Sequence, residues 1–119
     1  MTKPKNNTIN YLEFKAHNLA ITKQFYNNVF GWEFTDYGEN YMSFSFEKSG
    51  IDGGFEKTED VIVNGVLVVL YHDNLKEIKQ QIINFGGSIK VDIFSFPGGR
   101  RFQFLDPSGN ELAVWSYNK

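Results

Sequence analysis

The stretch Asn18-Leu19-Ala20-Ile21-Thr22-Lys23-Gln24-Phe25-Tyr26-Asn27-Asn28-Val29-Phe30-Gly31 decides how this chain is read, because its pattern returns later in the sequence. Moved forward by 56 positions, Asn18 falls on Asn74, Leu19 on Leu75, Lys23 on Lys79, Gln24 on Gln80, Asn28 on Asn84 and Gly31 on Gly87. The same shift puts Tyr26 on Ile82 and Val29 on Phe85, so an apolar face survives where the letters change. A strand-and-helix unit carried twice predicts two copies of a small module packed together, since one copy alone cannot bury its apolar side. Function is then expected in the cleft between them.

Asn18 is a natural N-cap for a helix whose Leu19, Thr22, Tyr26 and Val29 recur at helical spacing, and Gly31 ends it. Before it, residues 9–15 alternate, with Leu12 and Phe14 on one side and Tyr11, Glu13 and Lys15 on the other, as in a strand with one face packed. After it come strands expected over residues 32–37 and 41–47, the latter with Met42, Phe44 and Phe46 on one face, and a glycine-rich strand over 51–56. Residues 9–56 thus read as a βαβββ module, 57–64 as a linker and 65–116 as a second module, with a polar segment, residues 1–8, expected to fray.

In the second module, residues 65–71 are apolar throughout, which predicts a strand covered on both faces, Val66, Val68 and Leu70 toward the helix and Leu67, Val69 and Tyr71 away from it. Asp73 or Asn74 caps the next helix, Leu75, Ile78, Ile82 and Phe85 form its apolar stripe, and Gly86-Gly87 stops it. Strands over 89–94, 100–105 and 111–115 follow, separated by the turns Pro97-Gly98-Gly99 and Asp106-Pro107-Ser108-Gly109-Asn110.

The 119 residues make one domain long enough for a core, and 41% hydrophobic and 17% aromatic content suits a folded globule. Twelve phenylalanines and six tyrosines exceed what a small core absorbs, so some are expected at a cavity or interface. A net charge of −2 with mixed signs argues against a nucleic-acid surface. There is no cysteine for a disulfide or thiol nucleophile, and no apolar run of membrane-spanning length, so a cytoplasmic protein off the membrane is expected.

Phe25-Tyr26 followed by Val29-Phe30-Gly31-Trp32, Gly86-Gly87 after the second helix, and Asp106-Pro107-Ser108-Gly109-Asn110 before a strand ending in Trp115 resemble the vicinal oxygen chelate superfamily. That superfamily includes glyoxalase I, bleomycin-resistance proteins and extradiol dioxygenases. The resemblance covers about residues 9–116, and Ile51-Asp52-Gly53-Gly54 is most similar to a bacterial branch of predicted enzymes related to lactoylglutathione lyase. It implies an α+β fold of two tandem βαβββ modules whose mostly antiparallel eight-stranded sheet curls into a cup, helices outside. It also implies a small-molecule ligand or substrate and a homodimer, the cup completed within one chain or by exchange between two.

In the family's metalloenzymes, His and Glu ligands on the first and last strands of each module hold a divalent cation that acts as a Lewis acid. Carried onto this chain, the first-strand positions fall at Tyr11 and Leu67 and the last-strand Glu at Ala113, with one acid left near Gly54 to Glu56. Catalytic sites generally need three protein ligands, so no metal and no other cofactor are expected. His17 and His72, outside those positions, read as loop histidines that order the helix entrances.

Catalytic candidates are Tyr11 as a hydrogen-bond donor and acid, and Glu13 or Glu56 as a base; the competing reading of Glu13 is a solvated rim carboxylate paired with a cation. The expected ligand-binding set is Tyr11, Phe44, Phe46, Leu67, Val69, Arg101, Phe102, Phe104, Ala113 and Trp115, with Arg101 clamping an anionic group and some of the aromatics serving as plain core. Asp106 and Asn110 are better explained by turn geometry than by chemistry. The leading expectation is a metal-free protein binding a small organic molecule in an aromatic-lined cup. The alternatives are a glyoxalase-like lyase or isomerase, working either through a divalent metal held by a non-standard ligand set or by metal-free acid/base chemistry, and a structural interaction domain.

Overall fold

The computed structural model describes residues 4–117, and in it Asn18 and Asn74 each cap a helix. Asn18 Oδ1 accepts from the Ile21 N–H at 3.0 Å and Asn74 Oδ1 from the Glu77 N–H at 3.1 Å, satisfying donors that a helix start leaves free. The first helix, α1 (Leu19–Phe30), closes on Gly31 at φ 75°, where a side chain would be strained. A single four-residue turn of helix, α2 (Phe46–Ser49), comes next, and the second long helix is α3 (Leu75–Asn84).

Eight strands complete the chain: β1 (Leu12–Ala16), β2 (Phe34–Asp36), β3 (Tyr41–Phe44), β4 (Gly53–Lys57), β5 (Val68–Tyr71), β6 (Ser88–Phe96), β7 (Gly99–Leu105) and β8 (Glu111–Tyr117). They form two four-stranded sheets, ordered β1-β4-β3-β2 and β5-β8-β7-β6. In each, the first strand runs parallel to the last and the other pairs are antiparallel. This is an α+β fold of two βαβββ modules.

The repeat is legible in the ladder. Glu13 stands opposite Gly54, and Val69, 56 positions on, opposite Ala113; Lys15 stands opposite Glu56, and Tyr71 opposite Trp115. Two ion pairs recur at the same offset, Lys23 with Asp36 at 2.8 Å and Lys79 with Asp92 at 2.6 Å.

One face of each sheet packs on the helices, and the two packed faces share a core. Phe14 stacks on Phe55 with ring centroids 5.0 Å apart, and Tyr26 on Trp32 at 4.9 Å. Phe25 and Phe30 of α1 reach Phe104 of β7 at 6.2 and 6.0 Å, so the first helix belongs to both modules. Tyr26, fully buried, donates its phenol hydrogen to Asp106 at 2.8 Å. Aromatic pairs in this geometry add to the stabilisation from burial, and they take up more of the phenylalanines than composition suggested.

Several expectations need correction. The sheets do not close into one eight-stranded cup: no ladder joins β1 to β5, and beside β1 the Lys15 carbonyl instead accepts from the Asn110 side chain at 2.7 Å. The third strand stops at Phe44 because Ser45 caps α2 through the Glu47 N–H, which leaves Phe46 61% exposed. β5 is covered on one face only, Val69 and Tyr71 being 43% and 45% exposed, and Val66 lies outside it in the exposed linker. Of the segment expected to fray, residues 1–3 lie outside the described residues; residues 4–8 form no helix or strand.

Candidate functional site

The faces turned away from the helices carry the chemistry. Alternation along β1 turns Leu12 and Phe14 to the side opposite Glu13 and Lys15, Phe14 packing against the core, and leaves Glu13, Lys15 and, just before the strand, Tyr11 on the open side. The Tyr11 and Tyr41 hydroxyls share a hydrogen bond. Tyr41 can lie there because residue 54 is glycine: a Cβ at that position would run into the Tyr41 phenol and stand 2.7 Å from the Met42 carbonyl. Loss of solvent, then the hydrogen bonds to Tyr11 and Glu13, push the Tyr41 phenol well above its ordinary range. Lys15 is ion-paired with Glu56 and lies 3.8 Å from Glu13, and the Glu56 bond raises its ammonium.

Tyr11, Glu13 and Lys15 border a cleft of about 660 Å³. Its opposite wall is the chain from Thr58 to Val66 with Val68 and Glu111 beyond, so the floor and sides are apolar while Asp60 and Glu111 add acidic groups. A second cleft, of about 590 Å³, begins on the other side of the phenol pair and includes Ser43 and Asp52.

The open face of the second module differs. Trp115 packs against Tyr71 and Tyr117 with centroids 5.2 and 4.8 Å away. Arg101 lies over the Phe94 ring at 5.3 Å and donates to Gln103 at 3.4 Å; Gln103 in turn donates to Glu111 at 2.7 Å.

The structure therefore divides the residues singled out from the sequence. Tyr11, Glu13 and Glu56 share one open face; Val69, Arg101, Ala113 and Trp115 belong to the other. Leu67 and Ala113 border neither of these two clefts, both of which Tyr11 borders. Phe102 and Phe104 are fully buried on the helix side, and Phe44 is 4% exposed there, because alternation on β7 and β3 gives the open side to Arg101, Gln103 and Ser43. Of these three only Phe44 reaches a cleft edge.

The donors on this face do not suit a divalent cation. Glu13 and Glu56 flank an ammonium, their neighbours are phenols, and among the described residues no three His, Asp or Glu side chains converge. The histidines order backbone: the His72 ring accepts from the Asn74 N–H at 2.9 Å, at the start of α3, and the His17 ring meets the Asp60 carbonyl at 2.9 Å. Asp106 takes three backbone N–H groups of its own turn at 2.9–3.0 Å, as an Asx turn should.

Sequence reasoning missed Tyr41, Asp60, Glu111 and the linker wall. Tyr41 was open to discovery, since it shares strand parity with Ser43 and lies across from a glycine strand. The linker carried no periodicity that would place it against β1.

Solved structures share this fold at low identity. A glyoxalase/bleomycin resistance protein/dioxygenase family enzyme from Burkholderia phytofirmans PsJN is 14% identical with a TM-score of 0.77, over 91% of this chain and 97% of that one. The fosfomycin resistance protein FosX of Listeria monocytogenes is 15% identical with a TM-score of 0.77, over 96% of both chains. A glyoxalase-related enzyme from Fulvimarina pelagi is 14% identical with a TM-score of 0.74, over 92% and 88%. No curated protein matches the sequence. Among the described residues no helix is long and apolar enough to cross a membrane. The family model of the glyoxalase/bleomycin resistance protein/dioxygenase superfamily matches residues 8–114, and the chain belongs to that superfamily.

Proposed function

We propose that this protein binds a small organic molecule in the cleft between β1 and the 58–66 segment, without a divalent metal. The observation that carries the reading is the cleft itself: about 660 Å³, apolar in its walls, with Tyr11, Glu13 and Lys15 along one side. That combination of apolar surface and a few polar groups is what organic ligands need. The protein would act in the cytoplasm as a pair of chains, the exposed Tyr71 and Tyr117 side of the second module being apolar enough to meet another copy.

The test is a thermal-shift panel of metabolites and antibiotics that includes fosfomycin and bleomycin, given the names its relatives carry. A compound that raises Tm should bind about tenfold more weakly to Tyr11→Ala and to Val63→Glu, roughly the loss of one good contact. A panel with no shift, or a shift untouched by both substitutions, contradicts the proposal.

A second reading is favoured by the hydrogen bond between the Tyr11 and Tyr41 hydroxyls on the same open face as Glu13: a glyoxalase-like lyase or isomerase with Glu13 as base and Tyr11 as acid. Glu56 serves less well as a base because Lys15 engages it. Hemithioacetal isomerisation by protein assayed for metal, and its loss in Glu13→Gln, would select this reading. Turnover that survives Glu13→Gln would reject it.

A further inference from the structure

The cleft is bordered by an unpaired strand edge. β1 is the terminal strand of its sheet and meets only β4. Backbone groups alternate sides along a strand, and on β1 the bonds fix which residues face which way. The Leu12 N–H donates to Asp52 and the Ala16 carbonyl accepts from Thr58, both on the β4 side. The Lys15 carbonyl accepts from Asn110 and the His17 N–H donates to Ser108, both on the opposite side. The N–H and C=O of Glu13 and the N–H of Lys15 therefore face the cleft, and they find no partner among the described residues. Consecutive residues of β1 line the cleft, as expected when an edge rather than a face borders it.

From this geometry we infer that the cleft takes an extended, peptide-like ligand that adds to β1 as a further strand. Unpaired N–H and C=O groups at a two-residue repeat are complemented most fully by another backbone. Alternate apolar side chains of such a ligand meet Val63, Val66 and Val68, and a basic side chain meets Glu13, Asp60 and Glu111, which outnumber Lys15. The inference rests on the binding role proposed for this cleft and specifies the ligand's chemistry.

The probe is acetyl-Val-Lys-Val-Thr-Val-amide, with a fully N-methylated twin that keeps the side chains and removes the donors. The full chain is followed by NMR hydrogen exchange and calorimetry. Saturable binding should slow exchange at the Glu13 and Lys15 amides by about tenfold or more, and the twin should bind at least about tenfold more weakly, a neutral hydrogen bond or two being lost. Binding without that protection, or equal binding of the twin, overturns the inference. So does protection that grows with protein concentration alone, which would put a second copy on the edge. If a non-peptide compound of the panel occupies the cleft and the peptide does not, the inference fails and the proposed function stands; if neither does, both fail.

Discussion

The two modules hold equivalent ladder positions with opposite chemistry. Where the first has Glu13, Lys15, Gly54 and Glu56, the second has Val69, Tyr71, Ala113 and Trp115. Their packed faces did not diverge in this way: Phe14, Phe55 and Met42 on one side and Val68, Leu112 and Val114 on the other are all apolar. Burial constrains the helix-facing residues of both copies to the same kind of side chain, while the open faces are free to differ. The difference leaves Glu13, Lys15 and Glu56 on the open face of the first module and Tyr71 and Trp115 at the corresponding places of the second.

The largest expected effect lies where the modules are joined. Asp106 is 4% exposed and receives Tyr26, Asn110 and three backbone N–H groups, whereas Asp52 in the first module takes the exposed Phe46 N–H alone. Asp106→Ala should cost roughly 4 kcal/mol in urea denaturation, since each buried donor stripped of its partner costs about 1–3 kcal/mol; Asp52→Ala should cost about 1 kcal/mol or less. Equal losses would break the contrast between a buried tie and a surface one.

Next comes the glycine that accommodates Tyr41. Gly54→Ala should destabilise by about 1–3 kcal/mol, because the Met42 carbonyl is backbone and gives little, and it should displace the phenol from Tyr11. At the equivalent position Ala113 already fits, and Ala113→Gly should cost only about 0.5–1 kcal/mol. Thermal melts of the two variants check the order.

A smaller effect is a slope with pH. Burial raises the Asp106 carboxyl above its ordinary 3.8, against the hydrogen bonds from Asn110 and Tyr26. The folded chain therefore takes up this proton at higher pH than the unfolded chain. Stability linked to it is present below the unfolded value and is lost as pH rises through the folded one. In Asp106→Asn that contribution is absent, so its stability relative to the native protein should worsen on acidification toward 3.8, as read from urea midpoints over that range. Smallest of all, Lys23→Met and Lys79→Met should leave the midpoint almost unchanged, because solvent screens both repeated ion pairs.

The sequence made the helices legible through their caps and their apolar stripe, and the 56-residue offset extends to pairs as remote as Lys23 with Asp36. Strand parity sorted Leu12 and Phe14 from Glu13 and Lys15 correctly. It failed where tertiary contact decides. Nothing local to Phe102 or Phe104 says that α1 and α3 cover their side of β7, and nothing in Asp60 or Val63 says that the linker stands against β1. The closed cup was a property of the resemblance, and the side chains of Asn110 and Ser108 take only the C-terminal end of the β1 edge, leaving the Glu13 end unpaired.

Which open surface receives a ligand separates the two modules most sharply. The direct measurement is an amide NMR titration with the first compound that raises Tm. Shifts concentrated at Tyr11, Glu13, Lys15, Val63 and Val68 are predicted; shifts confined to Arg101, Trp115 and their neighbours on the second module, with β1 silent, would contradict it.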